Sequence, residues 1–146
     1  MEKDVYVLEE SFGYHINSLA VAIKRNMDEY LKPYSLTHLQ FSILMSLYKN
    51  NVTTQKEILR FTYGDEAGIT RHIDKLELKG YLQRSPCSTD KRKKKLVLTN
   101  DGITLIEEII TYACKVNREL TKTLDKEEAD TFLKLLQKVN SSLYEI

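Results

Sequence analysis

Cysteine and histidine are scarce in this sequence, and their positions match no common metal site. The two cysteines, Cys87 and Cys114, form neither a disulfide framework nor a metal-binding spacing. The three histidines, His15, His38 and His72, form no ligand-spaced pair with one another or with a cysteine. The sequence also lacks a nucleophile-and-base motif, a phosphate-cradling glycine loop and a dinucleotide fingerprint. We therefore expect no metal, no cofactor and no enzymatic activity.

Long apolar runs, proline and glycine are also few. No stretch approaches the roughly 20 apolar residues that a membrane-spanning helix needs. The N-terminal Met1–Asp4 lacks the basic flank and apolar core of a secretory signal. These absences predict a cytoplasmic protein with no membrane partner. With only two prolines and five glycines in 146 residues, helix breakers are rare, and we expect one mainly helical chain.

Positive charge is concentrated in one short segment. The whole chain has a formal net charge of +1, but residues 79–95 contain seven basic residues and one acidic residue, a net charge of +6. Residues 1–78 have a net charge of −2 and residues 96–146 a net charge of −3. A basic patch on an acidic body indicates a polyanionic partner, either nucleic acid or an anionic membrane.

Apolar periodicity and capping signals predict three helices in the first part of the chain. The first covers Leu8–Leu31, where apolar residues recur at spacings of three and four, and Pro33 ends it. A T-x-x-Q capping box at Thr37–Gln40 opens the second helix, which Asn50-Asn51 ends. A second box, T-x-x-E at Thr54–Glu57, opens a short third helix.

The next segment predicts a fourth helix and a β-hairpin. Asp65 is a good N-cap, and Gly80 closes the helix that follows it. Two strand-like runs, Tyr81–Ser85 and Lys94–Thr99, then flank the polar loop Pro86–Lys93. Further on, Thr99 or Asn100 caps a long fifth helix, and the D-x-x-E box Asp125–Glu128 opens a sixth.

The order of elements predicts a mainly α-helical fold with a small β-hairpin wing. A helix-turn-helix followed by a hairpin is the winged helix-turn-helix arrangement, which we assign to residues 36–99. Residues 8–32 and 100–146 form long flanking helices within the single chain 1–146. Their apolar surface exceeds what a small DNA-binding lobe can cover, so we expect them to pack against a second copy.

The fourth helix is the candidate recognition helix. If Ile69, Ile73 and Leu76 face the core, the outward residues are Glu66, Ala67, Thr70, Arg71, Asp74 and Lys75. Thr70 offers a hydroxyl to phosphate or base, and Arg71 offers a guanidinium that can bind guanine or phosphate with two hydrogen bonds. The alternative is an exposed face of an unrelated helical domain, in which Arg71 only pairs with Asp74, or Lys75 with Glu77.

The hairpin loop is the second candidate contact with DNA. It contains the basic residues Lys91, Arg92, Lys93 and Lys94, which can neutralise phosphates and release counterions. Arg92, near the loop tip, is suited to a narrow minor groove, and Asp90 is placed to orient it. The alternative is a solvated charged surface without a partner.

The sequence resembles the MarR (multiple antibiotic resistance regulator) family over nearly its whole length. The motifs that carry the resemblance are T-R-x-I-D-x-L-E-x-K-G-Y-x-x-R over Thr70–Arg84, D-x-R over Asp90–Arg92 and L-T-x-x-G over Leu98–Gly102. The resemblance implies a homodimeric transcription regulator, most often a repressor, whose first, fifth and sixth helices form the dimer interface. It also implies DNA contacts from Thr70 and Arg71, and a minor-groove contact from Arg92.

Two stretches depart from the family pattern. The recognition helix begins with Glu66, Ala67 and Gly68 instead of hydroxyl or small polar residues, and the turn Phe61–Gly64 differs from the usual Leu-Gly turn. Glu66 repels phosphate, and a glycine such as Gly68 weakens a helix by up to about 1 kcal/mol relative to alanine. An alternative function is therefore a winged-helix adaptor that binds an acidic protein partner and has weak or no specific DNA binding.

The resemblance also implies a small aromatic or phenolic effector bound between the dimer helices and the DNA-binding lobe. The candidate residues are Tyr14, His15, Tyr30, Tyr34 and His38, which can offer hydrogen bonds on an apolar wall. The alternative is that they are packing and interface residues.

The two cysteines have separate interpretations. Cys87, in the basic wing, is either a redox-responsive thiol or an incidental one. Cys114 is interpreted as a small buried or interface residue.

Overall fold

The structure, a computed structural model, describes residues 5–49, 52–62 and 64–143. These ranges contain six α-helices, two short 3-10 helices and a two-stranded hairpin. The α-helices and strands are α1 Phe12–Leu31, α2 His38–Lys49, α3 Gln55–Phe61, α4 Glu66–Leu78, β1 Leu82–Pro86, β2 Lys94–Leu98, α5 Asn100–Thr121 and α6 Lys126–Leu143. This confirms the predicted class, a mainly helical chain with a small hairpin. The predicted helix end at Asn50-Asn51 and the turn residue Tyr63 lie outside the described residues.

The chain divides into two compact units, Met1–Ile110 and Thr111–Ile146. The core of the first unit is formed by apolar side chains that are at most 1% exposed and come from six of its elements: Leu31, Ile43, Leu44, Ile58, Ile69, Ile73, Leu76, Leu82, Ile106 and Ile109. The recognition helix α4 contributes three of them, so its inner face is fixed in this core. No helix in the described part of the chain is long and apolar enough to cross a membrane.

The three predicted capping boxes are all present with reciprocal hydrogen bonds. At α2, Gln40 N–H donates to Thr37 Oγ1 at 3.2 Å and Thr37 N–H donates to Gln40 Oε1 at 3.0 Å. Thr54 and Glu57 make the same exchange at α3, as do Asp125 and Glu128 at α6. Because these bonds satisfy amide groups that a helix leaves unpaired, they fix where each helix begins.

The predicted boundaries of the first helix and of the two strands need correction. A 3-10 turn occupies Leu8–Glu10, and α1 begins only at Phe12, because Ser11 is extended and its side chain accepts a hydrogen bond from Tyr14 N–H. The first strand is Leu82–Pro86 and not Tyr81–Ser85. The second strand ends at Leu98, because Thr99 caps α5 through a 3.1 Å bond from Gly102 N–H.

Two helices have apolar side chains that this single chain leaves uncovered. On α1, Phe12 is 86% exposed, and on α6 no residue is buried. The exposed apolar residues of these two helices include Phe12, Ile16, Leu19, Val21, Phe132, Leu133, Leu135, Leu136, Val139 and Leu143. Each helix therefore has the surplus apolar surface that the sequence predicts.

The base of the hairpin is closed by a tight backbone contact. Thr99 N–H donates to the carbonyl oxygen of Tyr81 at 3.1 Å, and Thr99 Oγ1 donates to the carbonyl oxygen of Gly80 at 2.5 Å. Gly102, in the first turn of α5, lies directly against Tyr81: a Cβ at this glycine would be 2.0 Å from the Tyr81 carbonyl oxygen. The close approach leaves no room for any side chain at position 102.

Replacement of Gly102 tests this contact. We expect Gly102→Ala to lower the free energy of unfolding by about 1–3 kcal/mol, because backbone must move to admit the methyl group. Urea denaturation measures the loss. The control is Gly13→Ala in α1, where a Cβ would lie 3.9 Å from Ser11 Oγ and helix propensity favours alanine. A Gly102→Ala protein as stable as wild type would contradict the contact.

Candidate nucleic-acid interface

The recognition helix α4 presents the outward face that the sequence predicts. Ile69, Ile73 and Leu76 are completely buried. The exposed residues of the opposite face include Glu66, Ala67, Arg71, Asp74 and Lys75. Arg71 and Lys75 thus lie one turn apart on the solvent side of a helix whose other side is anchored in the core.

The N-terminus of α4 explains the glycine that interrupts it. Asp65 caps the helix, and its Oδ1 accepts a hydrogen bond from Gly68 N–H at 2.7 Å. A Cβ at position 68 would lie 2.7 Å from the same oxygen, so glycine lets the cap close without displacing the aspartate. In this position Gly68 assists the start of the helix instead of only weakening its interior.

Thr70 is less available than the sequence predicts. It is half-buried, and its hydroxyl donates to the carbonyl oxygen of Glu66 at 2.9 Å. The Thr70 hydroxyl oxygen in turn accepts a 2.5 Å hydrogen bond from Nε2 of Gln55, at the start of α3. Sequence reasoning missed Gln55, although its place directly after the Thr54 N-cap signals that its side chain lies at a helix end.

Arg84 in β1 joins the hairpin to the recognition helix. Its guanidinium pairs with Asp74 at 2.6 Å and also with Glu77, whose carboxylate accepts the Arg84 backbone N–H at 3.1 Å. Burial lowers the pKa of Arg84, but the hydrogen bonds to Asp74 and Glu77 outweigh it, and the net shift is upward. The alternative pairing of Asp74 with Arg71 is therefore wrong: Asp74 binds Arg84, and it holds the wing.

The hairpin presents its basic loop to solvent. The two strands pair antiparallel with Leu82 opposite Leu98 and Pro86 opposite Lys94. Beyond that last pair, Cys87 N–H donates to the Lys93 carbonyl oxygen at 2.9 Å. The exposed cations of the loop and the adjoining strand end are Lys91, Arg92, Lys93 and Lys94, whereas Lys95 is half-buried.

Asp90 shapes the tip of this loop. Its Oδ1 accepts the Arg92 backbone N–H at 3.0 Å and lies 3.6 Å from Arg92 Nε, and its carbonyl oxygen accepts Lys93 N–H at 3.0 Å. The Arg92 side chain is 95% exposed. The expected contact between Asp90 and Arg92 is present, while the role of Arg92 in a minor groove stays a prediction.

Cys87 has an acidified thiol, but not for the reason that the sequence suggests. Its pKa is lowered to about 7, chiefly by a hydrogen bond with the Thr89 side chain and then by the backbone amides of Thr89 and Asp90. The electrostatic contribution of Lys95 is smaller than all of these. Cys114 is exposed in this chain, so the interpretation of a residue buried within the chain is wrong, while an interface role stays a prediction.

The candidate effector residues divide into three places. Tyr14 and His15 stack edge to face at 5.3 Å, and His15 Nε2 lies 2.8 Å from the Glu9 carbonyl oxygen. The Tyr30 and Tyr34 rings lie 5.8 Å apart. Tyr34 donates its hydroxyl to Glu108 at 2.6 Å, a bond that raises the pKa of the phenol.

His38, the fifth candidate, lines a cavity of about 420 Å³ between α1, the start of α2 and the recognition helix. The lining residues are Lys24, Asp28, Lys32, Leu36, Thr37, His38, Leu39 and His72. Burial lowers the pKa of both His38 and His72. His72 Nδ1 is buried and has no hydrogen-bond partner in the part of the chain that the structure describes. Tyr14, His15, Tyr30 and Tyr34 do not line this cavity.

The described residues contain no group of three or more histidine, cysteine, aspartate or glutamate side chains placed to hold a metal ion. The interface therefore consists of three parts. The helix α4 is buried on one face, the hairpin is fixed to α4 by Arg84, and the end of the hairpin contains the five consecutive cations Lys91 to Lys95. Such a surface is suited to bind a double-stranded polyanion through groove and backbone contacts.

A family model, related sequences and solved structures all relate this chain to the same protein family. The model of the MarR family matches residues 36–94. The multiple antibiotic resistance protein MarR of Escherichia coli is 34% identical over 79% of this chain and 81% of its own length. The uncharacterized HTH-type transcriptional regulator YwoH of Bacillus subtilis is 33% identical over 85% of this chain and 90% of its own.

A solved structure extends the comparison to a DNA complex. The crystal structure of a cysteine-to-serine variant of MarR from E. coli, complexed with operator DNA, superposes with a TM-score of 0.78. The two chains are 30% identical, and the match covers 94% of this chain and 99% of the other.

The thiol of Cys87 provides a direct test of the loop geometry. In a Cys114→Ser background, we expect alkylation by iodoacetamide to reach half its maximal rate near pH 7, because only the thiolate reacts. Removal of the Thr89 hydroxyl in Thr89→Val destabilises the thiolate, so the midpoint should rise toward the ordinary thiol value. A midpoint that is already at the ordinary value in the Cys114→Ser protein would contradict the loop geometry.

Proposed function

This chain belongs to the MarR family, and from that membership we propose that it is a transcription regulator that binds a pseudo-palindromic DNA operator. It would bind as a homodimer and act as a repressor. The observation that carries the proposal is the fixed pairing of α4 with the basic hairpin through Arg84. As a regulator of transcription, the protein would act in the cytoplasm, where its operator lies.

The DNA contacts follow from exposure and charge. Arg71 and Lys75, on the solvent face of α4, would enter the major groove, where a guanidinium can bind a guanine edge with two hydrogen bonds. Arg92, at the exposed tip, would enter the minor groove, and Asp90 would orient it. Lys91, Lys93 and Lys94 would supply phosphate contacts that do not depend on sequence.

The homodimer is supported by the uncovered helix faces. The exposed apolar residues of α1 and α6 would otherwise face water, and burial recovers roughly 25 cal/mol for each Å² of apolar surface. A second copy, which has the same two faces, can cover them by two-fold symmetry. Two copies would also give two recognition helices, as a pseudo-palindromic operator needs.

The alternative adaptor function is motivated by Glu66, which is exposed in the first turn of α4 and would repel phosphate. An adaptor of this kind would use the basic hairpin for an acidic protein. Binding of promoter DNA distinguishes the two functions.

Removal of single cations tests the DNA interface. With a dimer that neutralises about six phosphates, log affinity for operator duplexes should fall against log salt with a slope of about −5. Arg92→Ala should weaken binding by about 1–3 kcal/mol, and Arg71→Ala should also relax the base preference. Fluorescence anisotropy at several salt concentrations measures both quantities, and titration gives the number of chains for each operator.

The matched control is Lys122→Ala, which removes an exposed cation paired with Glu119, outside the hairpin and α4. We expect it to bind DNA like wild type. Affinity that does not change with salt, or normal binding by folded Arg92→Ala and Arg71→Ala proteins, would contradict the assignment.

We also propose that a small phenolic acid binds the cavity beside α4. Lys24 and Lys32, which pair with Asp28 and Glu29, line it, and their positive charge can attract a carboxylate. The buried His72 Nδ1 can accept a hydrogen bond from a phenol. His38 would contact the same ligand. Because His72 lies next to Arg71 on the recognition helix, occupancy of the cavity would bear directly on DNA binding.

Calorimetry with 4-hydroxybenzoate, a phenolic carboxylate, tests this second proposal. We expect His72→Phe to weaken binding about three- to tenfold, because it removes one hydrogen bond while it retains the ring volume. Tyr14→Phe, which lies outside the cavity, should bind the probe like wild type. If Tyr14→Phe weakens binding and His72→Phe does not, the ligand lies at the N-terminal end of α1 instead.

A further inference from the structure

The side chain of Gln55, the first residue of α3, contacts the recognition helix α4. Its Nε2 donates to Thr70 Oγ1 at 2.5 Å, and Thr70 donates in turn to the carbonyl oxygen of Glu66 at 2.9 Å. The two bonds bring one residue from each helix of the helix-turn-helix to the same point. That point lies one turn into α4, where a recognition helix meets base edges.

The bonds already made limit what Thr70 can offer to DNA. A threonine hydroxyl has one proton and two lone pairs. The proton is committed to Glu66, and Gln55 occupies one lone pair, so only one acceptor position remains. In this arrangement Thr70 cannot donate a hydrogen bond to a phosphate oxygen or to a base acceptor.

The same network fixes which way the Gln55 amide faces. Because the Thr70 proton points to Glu66, Thr70 cannot donate to Gln55 Oε1, and the NH₂ group must face the hydroxyl. Gln55 then retains its Oε1 and one N–H, neither of which has a hydrogen-bond partner among the described residues. The side chain therefore presents an acceptor beside a donor.

The backbone of Gln55 is also held in place. It is the first residue of α3, directly after the N-cap Thr54, and the reciprocal bonds of Thr54 and Glu57 close that helix end. Glu57 additionally accepts the backbone N–H of Thr53 at 2.9 Å. A side chain fixed at both its backbone and its amide loses little conformational freedom on binding.

We propose that Gln55, held by Thr70, is a specificity-determining residue that reads an adenine in the major groove of each operator half-site. This inference rests on the proposed DNA-binding function. Adenine presents the N7 acceptor and the N6 donor side by side, which complements the free N–H and Oε1 of Gln55. Guanine presents two acceptors at the same edge, so it would leave Oε1 opposite an oxygen.

Selection of bound duplexes from a random pool tests the inference, with wild type and four variants compared. Wild type should enrich an adenine at one symmetric position of each half-site, with a preference of about tenfold or more over the other bases. Gln55→Ala and Gln55→Met should lose the preference at that position and retain the rest of the consensus. Thr70→Val, which removes the anchor, should weaken the same preference, and Thr70→Ser, which keeps the hydroxyl, should retain it.

Salt dependence provides a second measurement. Gln55 has no charge, so Gln55→Ala should leave the slope of log affinity against log salt unchanged, in contrast to the loss of a phosphate-binding cation. Thermal unfolding followed by circular dichroism confirms that each variant is folded.

Two results would overturn the inference, and they differ from failure of the proposed function. If folded Gln55→Ala enriches the same consensus as wild type, Gln55 does not read a base. If it loses preference evenly at all positions, Gln55 only supports the helices. If wild type enriches no sequence at all, DNA binding itself is wrong, and the inference falls with it.

Discussion

The close contact between Gly102 and the Tyr81 carbonyl oxygen is the constraint on which the geometry of the DNA-binding lobe depends. At this junction the recognition helix has just ended, the hairpin begins and ends, and α5 starts. Thr99 connects the parts, because its amide and hydroxyl bind the Tyr81 and Gly80 carbonyl oxygens and its hydroxyl also caps α5. A shift at this point would move the hairpin and α5 together, because Thr99 bonds to Gly80 and Tyr81 and also caps α5.

Internal pairing reduces the charge that is available to a partner. The segment 79–95 has a net charge of +6, but Arg84 is bound by Asp74 and Glu77, and Lys79 donates to the Ser35 carbonyl oxygen. The five consecutive cations Lys91 to Lys95 remain, and four of them are exposed. Asp74 and Glu77 of α4 thus position the hairpin, and the Arg84 guanidinium reduces their repulsion toward DNA.

Local signals predicted much of the fold, because they depend on neighbours in sequence. The three capping boxes, the buried face of α4 and the contact of Asp90 with Arg92 all involve residues within a few positions of one another. The bond between Gln55 and Thr70 and the contact of Gly102 with Tyr81 join residues that only the tertiary fold brings together. The acidity of Cys87 was expected from nearby cations, but hydrogen bonds formed by the folded loop dominate it.

One backbone hydrogen bond limits the conformational cost of binding. Leu96 N–H, in the middle of β2, donates to the Thr53 carbonyl oxygen at 2.7 Å, and Leu82 and Leu96 are buried in the core. A free two-stranded hairpin with strands of five residues would be marginally stable in water. Here the strands are already ordered. The backbone entropy lost when the hairpin binds DNA is therefore confined to the residues between Pro86 and Lys94. Each of these residues that becomes fixed costs about 1–2 kcal/mol. The attachment of β2 to Thr53 and to the core therefore limits the entropic cost of association to one short loop.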